Sequence, residues 1–333
     1  MQSRDHPCTM PDTMVEIPKW GPSVKARQLA WRMHAVAAST LLALLLLVAT
    51  ASAREAAPAP AIWKIDGERG DIVFFGSIHI LPPTLAWQTP ELEAALNAAQ
   101  KLHFEIDLDE AQNPAIMGDL INRYGFLPAG TTLRSLIAVE YRGKLERFSR
   151  SVGLPIEALD RMRPWLAAIT LTSLQAAKQM SGGSPSPNPA ETGGVDAKLW
   201  NWAKANGKQR GALETAESQI QLFANLTREQ ELQFLVVTLQ QSEQANAIIS
   251  QLLDAWKAGK VRKLDDILNR DMDKFPVLRK ALFDDRHANW MPQIEALIRD
   301  GGDHVIVVGA AHLVGKGSII DLLRARGVRV EGP

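Results

Sequence analysis

Apolar residues form short, dense runs near the two ends of the chain and recur at helical spacing in between. IWKI (62–65) and IVFF (72–75) flank a polar stretch that begins with Asp66-Gly67, a pattern that predicts a β-hairpin. Pro90 followed by ELEAALNAAQ predicts a helix, because proline suits the first helical turn. KLHFEID (101–107) predicts a third strand, so the beginning reads β-β-α-β. Spacing near 3.6 predicts helices over 133–152 and 156–180. GVDAKLWNWAKANG predicts a short helix ending at Gly207, and KQRGALE a strand running to Glu214. Thr227 with Gln230 three residues on is a capping-box signal, and helical sequence continues from there to Arg299. HVIVVG (304–309) predicts a strongly apolar strand, GSIIDLLRARG a helix closed by Gly327, and VRV (328–330) a last short strand.

Strand signals at both ends with helices between them predict an α/β fold of one domain. Its central mixed sheet joins N- and C-terminal segments, and the helical middle covers the sheet or caps a site. The proline- and glycine-rich stretch at 181–190 reads as a loop rather than a domain linker, since KQRGALE beyond it returns to the sheet.

The first residues follow another rule. AVAASTLLALLLLVATASA (35–53) comes after Lys25, Arg27 and Arg32 and ends in Ala51-Ser52-Ala53. A basic stretch, an apolar stretch and an A-x-A site make a secretory signal peptide, with cleavage expected after Ala53. The alternative is an uncleaved membrane anchor. Residues 54–61 read as a Pro/Ala linker, which leaves 62–330 as the folded domain. The expected location is periplasmic or secreted.

Composition narrows the function classes. The 333 residues are 46% apolar and 22% charged, with a formal net charge of zero, so no electrostatic footprint for nucleic acid is present. The single cysteine, Cys8, precedes the apolar segment. A chain cleaved after Ala53 has none, which excludes disulfides, thiolate zinc sites and a cysteine nucleophile.

The candidate chemistry rests on a repeated step. FFGSIH and VVGAAH each carry an apolar run into Gly-x-x-His, with Gly76 and His79 in one, Gly309 and His312 in the other. Ligands of open α/β sheets bind beyond the C-terminal ends of strands. Parallel neighbouring strands would bring His79 and His312 together, with side chains roughly 4–8 Å apart if both face one ion. Glycine permits the turn and the close approach of another group. A divalent metal site also needs a carboxylate. Glu105 at the end of KLHFEID is the first candidate, Glu214 at the end of RGALE the second and Asp107 the third. His103 reads as a core histidine, and His287 and His304 as structural or exposed. Arg286, in a polar patch of helical sequence, would by itself be a surface arginine.

FFGSIHILPP, HFEID, GVDAKLWNWAKANGKQRGALETAESQIQLF, LFDDRHANWMPQIEALI and HVIVVGAAHLVGKGSIIDLLRARGVRV, in this order, resemble the TraB/GumN family, which is related to the TIKI membrane-bound metalloproteases. The resemblance covers about residues 62–330. It implies one pocket built from His79, His312, Glu105, Glu214 and Arg286, and a divalent cofactor, manganese or cobalt. His287 follows Arg286 where the family usually has asparagine. The function expected is a metal-dependent hydrolase acting on a peptide or other small-molecule substrate. His79, His312 and Glu105 hold the ion, Glu214 serves as general base, and Arg286 stabilises the oxyanion. The alternatives are a protein that binds a peptide or saccharide without turnover, and an accessory to envelope polysaccharide assembly or signalling.

Overall fold

The computed structural model describes residues 58–333 apart from 83, 182–192, 270–271 and 273–274. The expected signal peptide, all but the last residues of the linker and most of the 181–190 loop lie outside the described residues. Among the described residues, no helix is long and apolar enough to cross a membrane.

Five strands form one sheet in the order β1-β2-β5-β3-β4. β1 (Ile62–Ile65) and β2 (Ile72–Ser77) are the antiparallel hairpin, with Ile65 opposite Ile72. β5 (His304–Gly309) lies parallel between β2 and β3 (Lys101–Phe104), and β4 (Gln209–Ala212) completes the parallel edge beside β3. The fold is therefore α/β, with a mixed sheet joining the two ends of the chain and helices covering it. β2 is buried along its whole length and β5 up to Gly309. Both faces of these central parallel strands are covered, so they read as unbroken apolar runs rather than alternating ones.

Aromatic packing secures the β2 end that leads into the first Gly-x-x-His step. Phe75 is fully buried and stacks on Trp87 at 5.8 Å, with Trp256 edge-on at 6.1 Å. The indole N–H of Trp256 donates to the Gly76 carbonyl at 2.7 Å, so the helix Ala245–Lys257 pins the last turn of the strand. Thr89 caps the helix Pro90–Ala98, and Thr227 and Gln230 form the reciprocal capping box expected of them.

The helical middle is more finely divided than its periodicity predicts. The 133–152 stretch breaks at Ile137-Ala138 into helices Leu133–Leu136 and Val139–Ser151, both residues having extended backbone. The 156–180 stretch breaks before Pro164, which has no N–H to donate and forces the residue before it out of helical geometry. Arg163 accordingly sits at φ −63°, ψ 152°. The helical run after Thr227 likewise splits, among the described residues, into pieces that include Arg228–Gln241, Ala245–Lys257, Val261–Leu268 and Asp285–Asp300. The expected strand at 328–330 is absent. Arg324 hydrogen-bonds the Val330 carbonyl, and pairing is reduced to one antiparallel bridge between Lys64 and Glu331.

His103 is a core histidine, as its position suggests. Its Nε2 faces His304 Nδ1 at 3.5 Å, and His304 Nε2 lies 3.3 Å from the Gly301 carbonyl. Burial, with the His304 ring and Lys101 beside it, lowers the His103 pKa to about 4. An unfolded imidazole titrates near 6.5. Between those values the unfolded chain binds the extra proton. Stability is therefore expected to fall as pH drops from about 6.5 to about 4, by up to about 1.4 kcal/mol per pH unit from this residue. Denaturant unfolding at several pH values checks this: His103→Gln removes about that much slope relative to the parent.

Candidate functional site

Each of the four parallel strands delivers one side chain just beyond its C-terminal end: His79 after β2, His312 after β5, Glu105 after β3 and Glu214 after β4. The last two are tied together by backbone, since Glu214 N–H donates to the Glu105 carbonyl at 2.9 Å. Arg286 enters from the first turn of the helix Asp285–Asp300. A cavity of about 590 Å³ opens against His79, Glu105, Arg286 and His312. Its other walls are mostly apolar and include Trp165, Ile220, Phe223, Leu252 and Phe283.

The two glycines of the repeated step are explained by space. Neither has positive φ, and Gly309 sits at φ −51°, ψ 135°. A Cβ on Gly76 would come within 3.1 Å of Ala310, on the 3₁₀ turn Ala310–His312 of the other motif. A Cβ on Gly309 would come within 3.1 Å of Glu105 Oε1, 3.6 Å of His312 Cδ2 and 3.8 Å of His79 Nε2. Gly76 thus clears room for the other motif, and Gly309 clears room chiefly for the Glu105 carboxylate. Because both rings lie within 4 Å of one point, they cannot be farther apart than those two distances laid end to end.

Glu105 is 6% exposed and accepts the Gly309 N–H through Oε1 at 2.6 Å. Burial pushes its carboxyl up, but the surrounding His312, Arg286 and His79, with the Gly309 N–H, outweigh burial and hold it at about 2. Arg286 donates through Nη2 to Glu105 Oε2 and, at 2.6 Å, to Glu214 Oε1. Its Nε reaches Glu214 Oε2 at 3.2 Å, and its guanidinium lies 4.4 Å from the centre of the Trp290 ring. Gln219 Nε2 donates to both carboxylates at 3.3 Å. Burial raises the Glu214 carboxyl against the pull of Arg286. Glu214 is not among the cavity-lining residues, but Arg286 and Gln219, which are, both hydrogen-bond it.

The hydrogen bonds decide which nitrogen of His312 is free of a proton. His287 Nδ1 sits 2.9 Å from the Gly317 carbonyl, which can only accept, so Nδ1 carries the hydrogen. Its Nε2 then accepts from His312 Nδ1 at 2.9 Å. His312 is left with its lone pair on Nε2, facing Arg286 Nη1 at 2.9 Å and Glu105 Oε1 at 3.7 Å. Burial lowers the His312 pKa to about 3, so the ring is neutral.

His79 is oriented differently. Its Nδ1 pairs with Asp196 Oδ2 at 2.8 Å, while 68% of the side chain stays open. The Asp196 carboxylate beside Nδ1 raises its pKa to about 9. Asp196 is placed by a tight backbone clamp: Val195 N–H donates to the Ile78 carbonyl at 2.9 Å, and Ile80 bridges to Gly193. A Cβ on Gly194 would lie 2.1 Å from the Ile78 oxygen, so only glycine fits there.

His79, Glu105, Glu214, Arg286 and His312 therefore surround one spot. Asp107 does not: it caps the helix Leu108–Ala111, accepting from Asp109 and Glu110 N–H. Arg286 is 6% exposed rather than on the surface, and His287, 2% exposed, holds His312. Sequence reasoning missed Asp196, His287 and Gln219 as partners of the site. The one signal for His287 was its position beside Arg286 where the resembling family has asparagine.

Among the described residues, no group of three His, Cys, Asp or Glu side chains is already arranged around a metal position. The donor chemistry nevertheless fits a divalent ion: two imidazoles tied through Nδ1 and an ionised carboxylate, provided that His79 gives up its proton and His312 Nε2 its contact with Arg286. The space that a Cβ on Gly309 would fill lies among these three residues.

Uncharacterized protein YbaP of Escherichia coli is 26% identical over 249 residues, covering 75% of this chain and 86% of that protein. Metalloprotease TIKI2 of Danio rerio is 26% identical over 311 residues, covering 77% of this chain and 57% of its own length. An uncharacterized protein of Treponema pallidum is 23% identical, covering 79% of this chain and 80% of that one. No solved structure matches the chain. The sequence model of the TraB/PrgY/gumN family matches residues 61–332, nearly all of the described structure, and the chain belongs to that family.

Proposed function

We propose that the protein is an exported metal-dependent hydrolase, a peptidase, whose centre is His79, Glu105 and His312. The observation that carries this reading is the convergence of the His79 and His312 rings and one low-pKa carboxylate, Glu105, on the wall of a largely apolar cavity. The similarity to metalloprotease TIKI2 supports it. A divalent ion held by these residues supplies Lewis acidity toward a scissile carbonyl.

The chain's own groups divide the remaining work. The two carboxylates are pushed in opposite directions, which is how one site separates ligand from base. Glu105, held ionised, suits the ligand role. Glu214, raised by burial, suits the proton acceptor, and the cavity-lining Arg286 donates to it. The Arg286 guanidinium, permanently charged and planar, suits a developing oxyanion. Asp196 and His287 hold the two rings in place, and the apolar walls receive the substrate's side chains and exclude water.

The test is metal analysis of protein purified without chelators, beside cleavage of a peptide library with Mn²⁺ or Co²⁺ added. Near-stoichiometric metal and metal-dependent cleavage are expected. A folded protein that takes up no ion at micromolar supply, yet retains peptides or saccharides, would instead be a binding protein. For export, the mature N-terminus recovered from a bacterial periplasm is expected to be Arg54. Intact protein found only in membranes would mean an anchor.

A further inference from the structure

The candidate metal site is already in contact with a cation, the Arg286 guanidinium. We propose that Arg286 and a divalent ion are alternative occupants of one cage, so that metal loading requires Arg286 to withdraw from His312 and Glu105. The inference rests on the metal reading above and adds a competition within the chain itself.

The decisive observation is the single lone pair of His312. The chain from Gly317 through His287 puts the proton on His312 Nδ1 and leaves only Nε2 as acceptor. That one lone pair receives Arg286 Nη1 at 2.9 Å. An imidazole nitrogen cannot accept this hydrogen bond and coordinate an ion at the same time. Glu105 is engaged on both oxygens, Oε1 by Gly309 N–H and Oε2 by Arg286 Nη2. Two of the three proposed ligands are thus held by the same guanidinium.

Charge explains why the guanidinium is there. Side-chain exposure is 7% for Arg286, 7% for Glu105 and 11% for Glu214. Buried carboxylates without a cation are strongly destabilising. In the metal-free chain Arg286 supplies that cation, and a divalent ion can replace it only by taking over its partners.

The surroundings allow the exchange. Arg286 follows a π-helical turn, Lys280–Asp284, a distortion that concentrates at functional sites. It lines the cavity, so there is space in front of it. Its Nε contact with Glu214 uses a different nitrogen from its contact with His312, so one end can stay anchored while the other lets go.

Mn²⁺ alone is the probe, titrated calorimetrically into the metal-free mature chain, Arg286→Met and Arg286→Lys, with circular dichroism to confirm folding. Arg286→Met is expected to bind Mn²⁺ tighter than the parent by about tenfold or more, the scale on which neighbouring groups tune metal affinity. Its melting temperature is expected to fall without metal and to recover on adding Mn²⁺. Arg286→Lys, which cannot bridge the same three partners, is expected to shift affinity in the same direction by less, and it decides the matter if the methionine variant does not fold. Parent and folded variants binding Mn²⁺ equally well, or the variants binding it more weakly, would overturn the exchange but leave the metal reading standing. Absence of Mn²⁺ binding in the parent and in every folded variant would overturn both.

Discussion

His79→Ala and His312→Ala are each expected to abolish divalent-ion binding and peptide cleavage together. Each removes one of two imidazole donors, and the neighbourhood offers no replacement. His287 Nε2 is committed to His312, and its other nitrogen to Gly317. Asp196 is bound to the far side of the His79 ring. His79 is largely exposed, so its variant should keep the fold, whereas His312 packs against Phe283 and Trp290 and its variant is expected to lose some stability. Metal stoichiometry beside a peptide assay checks this, with circular dichroism as the control. Retention of full stoichiometry in both variants would place any ion elsewhere and favour the binding-protein reading.

Glu105→Gln, Glu214→Gln and Arg286→Lys are expected to separate three roles that the parent protein presents as one cluster. Glu105→Gln loses metal, since a neutral amide replaces the carboxylate that is held ionised at about 2. Glu214→Gln keeps metal and loses about 10²–10⁴ in kcat, the range for a missing general base. Arg286→Lys keeps charge and metal but loses the planar fork that spans Glu105, Glu214 and His312, and its kcat is expected to fall by about 10²–10³. Metal content read beside kcat for each variant makes the assignment. Loss of metal in Glu214→Gln together with its retention in Glu105→Gln would exchange the two carboxylates' roles.

Much of this geometry was readable from strand ends. The strands end at Ser77, Phe104, Ala212 and Gly309, and the next side chain with metal-ligating chemistry after each is a candidate for the site. Asp107 shows where that logic fails. It follows the same strand as Glu105, but it caps a helix, and only the local path of the backbone distinguishes the two. The helix breaks before Pro164 and at Ile137-Ala138 show a second failure. Apolar spacing continues through both, because the same residues can face a core from two short helices as well as from one long one.

By itself the sequence determined the α/β class, the pairing of its two ends in one sheet and the two Gly-x-x-His steps. These depend on short-range properties: unbroken apolar runs bury on both faces, and glycine is needed where a neighbour comes too close for a Cβ. Only the tertiary structure decided what each histidine is tied to, and what stands between the carboxylates. Asp196 lies 117 residues from His79, and His287 lies 25 residues from His312. The proton position on His312 follows from a carbonyl at Gly317 through an intervening ring. Arg286 belongs to a helix that by periodicity alone could have turned it to solvent, and it is buried because two carboxylates from other strands needed a cation. Hydrogen-bond direction and charge balance are properties of groups brought together in space, and no local pattern encodes them.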